Sequence, residues 1–389
     1  MRFYSKQQTP ADSPVRLMIA GAGTGGHLFP GIAVAHTIMA RSPGSRTLFV
    51  TTGRPIETTV LAKHPFETAS IAAAGIKGKS IWAKLKSLAL LPGGLLASFR
   101  ILRQFRPDAV MGMGGYSSGP VIVGAWLMGI PRVIHEQNRL PGMTNRLLGR
   151  FADRIYVSFA DTEIGGATDR TRFTGNPVRE EIRECRSRLD GIAAADTRKP
   201  LTIVILGGSQ GAHSINMAMI DALDHLDHPA SCRFIHQTGV GDAERVRAAY
   251  AQKGIAAEVD AFFEDMAGLY RRADLAVCRA GASTVAELIA AHVPAIFIPF
   301  PHAADNHQVS NAEGMVGAGA AQMLPESEMN GMELARRING FASDRKSLDA
   351  MKLAICEAMG TTDAAGAIAD DILDLIGRKE AREIENQEF

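Results

Sequence analysis

Gly21-Ala-Gly-Thr-Gly-Gly-His27 and Gly207-Gly-Ser-Gln-Gly-Ala212 each follow a short apolar run, residues 15–20 and 201–206, about half a chain apart. Runs of that length and content read as buried parallel strands. A strand, a tight glycine turn and a helix is how α/β domains present backbone N–H groups to a phosphate. Finding the device twice predicts two Rossmann-like halves with a cleft between them. Strand-like runs at 47–51, 109–113, 132–134 and 155–157 alternate with helix-length segments at 30–41 and 93–105. That rhythm is the βαβ pattern of a parallel sheet with helices on both faces. A second echo supports duplication. Pro107-Asp-Ala-Val-Met-Gly-Met-Gly-Gly-Tyr-Ser-Ser118 and Ala273-Asp-Leu-Ala-Val-Cys-Arg-Ala-Gly-Ala-Ser-Thr284 each lead into a helix and then a strand opened by proline.

The rhythm pauses at Gly175-Asn-Pro-Val-Arg179 and restarts at Leu201. The expected organisation is a disordered tail (1–13), an N-terminal domain (14–178) and a C-terminal domain (179–364), then a terminal stretch (365–389). Within the end of the chain, 361–376 reads as a helix followed by a frayed charged tail. A net charge of +1 gives no global attraction to nucleic acid. Cys185, Cys232, Cys278 and Cys356 form no CxxC pair and no zinc spacing, which suits a reducing compartment, with Cys278 a core residue. Residues 1–13 lack the apolar region of a signal peptide, and no apolar run is long enough to span a bilayer.

Gly21-x-Gly23-x-x-Gly26 matches the dinucleotide fingerprint, but the next strand ends Val50-Thr-Thr-Gly-Arg54 without the carboxylate that holds a ribose diol. NAD is therefore disfavoured. Ala73-Ala-Gly-Ile-Lys-Gly-Lys-Ser80 is a relaxed P-loop pattern lacking its first glycine and reads as a lysine-bearing loop. In Ala280-Gly-Ala-Ser-Thr-Val-Ala-Glu287, the helix start can bind a diphosphate through N–H groups and macrodipole. Thr284-x-x-Glu287 is also a capping-box pattern, so Glu287 stands between capping and a ribose diol. Pro299-Phe-Pro-His-Ala-Ala-Asp-Asn-His-Gln308 and His135-Glu-Gln-Asn138 sit at expected carboxyl ends of strands, where α/β ligands bind. No HExxH or Asp-x-Asp accompanies them, so neither a metal nor a cofactor is expected. His27 reads either as a general base or as a support of its turn. Residues 75–106 carry Lys77, Lys79, Lys84, Lys86, Arg100, Arg103 and Arg106 with no acid, interleaved with Trp82 and leucines. Amphipathic helices on a sheet would read this way, but the missing acids favour an anionic membrane surface.

Taken together, these motifs resemble the MurG family of bacterial glycosyltransferases from about residue 15 to 376. The resemblance rests on Gly-Thr-Gly-Gly-His (23–27), Gly-Met-Gly-Gly-Tyr (112–116), His-Glu-Gln-Asn (135–138), Gly-Asn-Pro-Val-Arg (175–179), Gly-Gly-Ser-Gln-Gly-Ala (207–212) and Asp-Asn-His-Gln (305–308). It implies the α/β GT-B fold, two facing Rossmann-like domains with a deep cleft, and a C-terminal helix returning toward the N-terminal domain. The implied reaction is inverting transfer of N-acetylglucosamine from UDP-N-acetylglucosamine to the 4-hydroxyl of undecaprenyl-diphospho-muramoylpentapeptide, for peptidoglycan biosynthesis. Carried over by position, Thr24, Gly25, Gly26 and Asn138 line the donor site from the first domain, while Arg179 and Ser209 contact the nucleotide-sugar. Ala282, Ser283, Thr284, Val285, Ala286 and Glu287 supply the diphosphate-binding helix end, with Glu287 on the ribose. Gln308, with His307 beside it, meets the sugar, and His27 is the candidate base. Phe263 falls where many members carry isoleucine near uracil, and Ala22 replaces a common glycine. The implied partners are the two substrates and an anionic membrane, at its cytoplasmic face, not nucleic acid. Another GT-B lipid glycosyltransferase, a UDP-sugar epimerase and a nucleotide-sugar sensor remain as rivals.

Overall fold

The computed structural model describes residues 13–21, 25–71, 91–185, 199–208, 211–359 and 363–385. The chain divides into two compact units, Met1–Arg179 with Thr362–Phe389, and Glu180–Thr361. The lysine loop 73–80 and the Trp82 end of the basic segment lie outside the described residues, as do Ala22, Thr24 and Ser209.

The first unit is a seven-stranded parallel sheet in the order β3-β2-β1-β4-β5-β6-β7. Its strands are β1 Arg16–Ala20, β2 Arg46–Thr51, β3 Glu67–Ser70, β4 Ala109–Gly112, β5 Arg132–Glu136, β6 Arg154–Val157 and β7 Thr171–Phe173. Side chains alternate across a strand, so Leu17 and Ile19 of β1 enter one core while Met18 and Ala20 enter the other. The first core also takes Ile368, Ile372 and Ile376 from the helix Ala364–Glu385. That helix packs on the helix Gly25–Arg41, where Arg41 donates to Gly366 O at 2.7 Å and pairs with Asp370. Tyr156 is fully buried, and its hydroxyl donates to Asp371 Oδ2 at 2.8 Å. The charged stretch expected to fray instead continues as helix to Glu385.

The second unit repeats the design as a six-stranded parallel sheet, β10-β9-β8-β11-β12-β13. These are β8 Leu201–Leu206, β9 Cys232–Gln237, β10 Ala257–Asp260, β11 Leu275–Cys278, β12 Ala295–Phe297 and β13 Ala321–Met323. The echo extends to single hydrogen bonds. Asp108, just before β4, accepts from Arg16 N at 2.7 Å, and Asp274, just before β11, accepts from Thr202 N at 2.9 Å. Pro131 O and Pro294 O, preceding β5 and β12, accept from Val110 N and Ala276 N. Each unit is Rossmann-like, as the paired glycine turns predicted. Strand order reverses between β1 and β4 and again between β8 and β11, and ligands of open α/β sheets bind beyond the carboxyl ends at such points. Cys278 is buried in β11, and burial pushes its thiol pKa well up, as befits a core residue.

Candidate functional site

In the first unit, Gly25, Gly26 and His27 form the first turn of the helix Gly25–Arg41, the first helix after β1. His27 is thus a helical residue, half-buried, rather than the end of a loop. The turn after β4 passes close by. Gly114 has φ +87°, and a Cβ there would lie 3.3 Å from His27 Cδ2 and Nε2 and 3.4 Å from Asn145 Nδ2. A glycine is what lets the backbone shelve that imidazole.

His135 and Glu136 close β5, and both are buried. Gly175 O can only accept, so His135 Nε2 donates to it at 3.2 Å, while Nδ1 accepts from Gln137 Nε2 at 3.1 Å. Burial lowers the His135 pKa from 6.5 to about 4, opposed by the Gly175 carbonyl and reinforced by His27. Its imidazole is therefore neutral at pH 7. Glu136 Oε1 accepts from Asn138 N at 2.9 Å and Asn138 Nδ2 at 3.2 Å. Its Oε2 accepts from Gly142 N at 3.0 Å and Asn145 Nδ2 at 2.9 Å. The carboxylate thus holds the loop that presents Asn138. Arg179 sits over the Phe29 ring, 5.0 Å from its centroid, a cation–π contact within the same unit.

In the second unit, Gly207, Gly208 and Gly211 lead from β8 into the helix His213–Ala222. Gly211 has φ +76°, and a Cβ there would meet Thr238 O at 2.3 Å, so no other residue fits without moving backbone. The helix Ala282–Ala290 follows β11 and has Gly281 at its N-cap, which has no side chain to contribute. This overturns the capping-box reading of Thr284 and Glu287. The helix starts before Thr284, leaving Glu287 too deep in it to reach back to the cap. Instead Glu287 Oε2 accepts from Tyr270 Oη at 2.9 Å. Val285 is buried, and its N–H donates to Gly281 O at 2.9 Å, so the first turn, 282–284, forms the helix end. Phe263 N donates to Gln237 Oε1 at 3.1 Å, and Gln237 Nε2 donates to Gly208 O at 3.2 Å, tying the Phe263 loop to the glycine turn. Gln308 Oε1 accepts from Phe300 N at 2.9 Å. Asp305 and Asn306, just before the helix that carries His307 and Gln308, are both left-handed, with φ 54° and 53°. Consecutive non-glycine residues there store strain, a mark of constrained functional loops.

The structure therefore gathers Gly25, Gly26, His27 and Asn138 at the carboxyl edge of the first sheet. It gathers Phe263, residues 282–287, His307 and Gln308 at that of the second. Tyr270 and Gln237 were not singled out in the sequence. Gln237 had one signal, a polar residue ending an apolar strand. Tyr270 had none, because its hydroxyl reaches Glu287 only through packing of two helices.

His236 of β9 is fully buried, with Nε2 donating to Asn216 Oδ1 at 3.0 Å and burial lowering its pKa to about 3 against the opposing pull of Asp242. A base whose pKa falls on folding binds protons preferentially in the unfolded chain. Stability from His135 and His236 is thus complete above pH 6.5 and is lost as pH falls toward 4 and 3 respectively. Going from pH 7 to pH 5 should cost each unit about 2 kcal/mol. Urea unfolding at both pH values checks this, and equal stability at pH 7 and pH 5 would refute it.

Residues 17–157 match the glycosyltransferase family 28 N-terminal domain, and residues 202–368 match its C-terminal domain. A relative from Geobacter sulfurreducens named UDP-N-acetylglucosamine–N-acetylmuramyl-(pentapeptide) pyrophosphoryl-undecaprenol N-acetylglucosamine transferase is 45% identical over 364 residues, 92% of this chain and 98% of the relative. The same enzyme of Myxococcus xanthus is 43% identical over 363 residues, 93% of each chain. The solved structure of Acinetobacter baumannii MurG has a TM-score of 0.75 at 32% identity, covering 93% of this chain and all of that one. This chain belongs to the MurG family. It carries both family 28 domains, one on each parallel sheet. A UDP-GlcNAc 2-epimerase from Neisseria meningitidis also aligns, with a TM-score of 0.64 at 12% identity, which is a likeness of fold alone.

Proposed function

We propose that this chain transfers N-acetylglucosamine from UDP-N-acetylglucosamine to the muramoyl sugar of undecaprenyl-diphospho-muramoylpentapeptide, in the wall-building step from lipid I to lipid II. Membership of the MurG family supports the reading, and one local observation carries it. The helix end at 282–284 lies beyond β11 at the switch point, and Tyr270 holds Glu287 one turn further along. A diphosphate suits the first and a ribose diol the second. Donor binding then falls to the second unit, with Ser209 and the helix end stabilising the charge that grows on the leaving UDP. Acceptor binding falls to the first. The acceptor's 4-hydroxyl oxygen attacks the anomeric carbon, the bond from that carbon to the diphosphate breaks, and the hydroxyl proton passes to His27. The product is β-linked. Incubating the protein with UDP-N-acetylglucosamine and the lipid-linked acceptor should release UDP only when the acceptor is present. Acceptor-independent formation of UDP-N-acetylmannosamine would instead establish an epimerase.

We further propose a peripheral position on the anionic cytoplasmic face of the membrane. Among the described residues no helix is long and apolar enough to cross a membrane. The helices Leu91–Phe105, Ser118–Leu127 and Met143–Leu148 pack in succession and expose Leu96, Trp126, Leu127, Met143 and Leu147. Arg100, Arg103, Arg146 and Arg150 are exposed on or beside the same helices. Apolar side chains flanked by arginines suit a headgroup layer. Leu127→Glu with Leu147→Glu should lower the rate on acceptor embedded in anionic liposomes about tenfold. The rate on a water-soluble short-chain acceptor should not change, and equal rates on liposomes would refute the surface.

A further inference from the structure

Arg279 follows β11 immediately, and its side chain is only 14% exposed. A charge so covered needs partners, and Arg279 finds them on each neighbouring turn of the second sheet. Its Nη1 donates to Ile298 O at 3.0 Å and Pro299 O at 3.2 Å, at the end of β12, and pairs with Glu326, which follows β13. Its Nη2 donates to Ser214 Oγ at 3.0 Å, in the first turn of the helix that follows the β8 glycine turn. Its guanidinium lies over the Phe300 ring, 5.3 Å from the centroid. The turns after β8, β11, β12 and β13 therefore meet at one side chain.

Phe300 passes this order on. Its N–H donates to Gln308 Oε1, which fixes the orientation of the carboxamide and sets Nε2, a donor, on the side away from that bond. We propose that Arg279 is a positioning residue for the sugar half of the donor. It clamps the 298–300 backbone and the Phe300 ring, and so aims Gln308 Nε2 at an acceptor oxygen of the hexosamine. The inference rests on the second unit being the UDP-N-acetylglucosamine site. Lysine keeps the charge but has no planar fork to hold two carbonyls, a carboxylate and a hydroxyl while lying over a ring.

The test is calorimetric binding of UDP-N-acetylglucosamine and of UDP to the full-length protein and to R279K, Q308A and the double variant. R279K should weaken UDP-N-acetylglucosamine about tenfold and leave UDP within about twofold, because UDP has no sugar for Gln308 to meet. Q308A should do the same. The double variant should be no worse than either single one, since both remove one interaction. Equal weakening of both ligands by R279K, or additive losses in the double variant, would overturn the proposal. Should R279K fold poorly, Phe300→Leu replaces it, keeping the ion pair with Glu326 while removing the ring, with the same selective loss expected. If the unaltered protein binds neither ligand, the donor-site reading itself falls, a result distinct from unchanged selectivity in R279K.

Discussion

Replacing His27 by glutamine should lower kcat by about 100-fold to 10,000-fold, the range for loss of a positioned general base, and leave UDP-N-acetylglucosamine binding within about twofold. The neighbours of His27 argue for it. His135 is fully buried and has its pKa lowered to about 4, so it neither reaches a substrate nor takes up a proton efficiently at pH 7. Glu136 is buried and accepts from the N–H groups of Asn138, Gly142 and Asn145. His27 is half-buried at the switch point of the first sheet, shelved against Gly114. Glutamine keeps a hydrogen-bonding amide of similar reach, so a role confined to supporting the turn would survive the change. A base would not. Rapid-quench measurement of the transfer step, with donor affinity by calorimetry, separates the two, and a kcat within threefold of the unaltered protein would assign the proton to another group.

The fold was legible because its signals are local. Apolar runs, glycine turns and prolines opening strands report backbone requirements that hold wherever the segment ends up. The aspartates before β4 and β11 extend that legibility to single bonds, since Asp108 and Asp274 occupy the same place in both halves of the echo. Less legible were features fixed by packing between distant segments. The isoleucines at 368, 372 and 376 announce an apolar helix face, but only the MurG resemblance pointed toward the unit on which it packs. At the candidate site, motif residues stood out while the side chains that orient them did not. Arg279 and Tyr270 read as an ordinary cation and an ordinary aromatic until the turns around them are in place. Thr284-x-x-Glu287 shows the opposite failure. The pattern fits a capping box, yet Gly281 is the N-cap and the glutamate accepts from Tyr270 Oη instead.

Glu287→Gln should weaken UDP binding about 10-fold to 100-fold while shifting the melting temperature by no more than about 2 °C. A hydrogen bond to a charged group contributes about 1.5–3 kcal/mol, and a carboxylate that accepts from both hydroxyls of a ribose loses that charge assistance when it becomes an amide. Stability should hardly respond, because Gly281 rather than Thr284 is the N-cap and the glutamine carbonyl can still accept from Tyr270 Oη. A fall in melting temperature with UDP affinity intact would return Glu287 to a structural role. The nucleotide offers an independent check on the same bond. With the unaltered protein, 2′-deoxy-UDP should bind more weakly than UDP, since one hydroxyl no longer donates to the carboxylate. With Glu287→Gln most of that difference should disappear, and if the preference for UDP persisted in full, the ribose would be recognised by a residue other than Glu287.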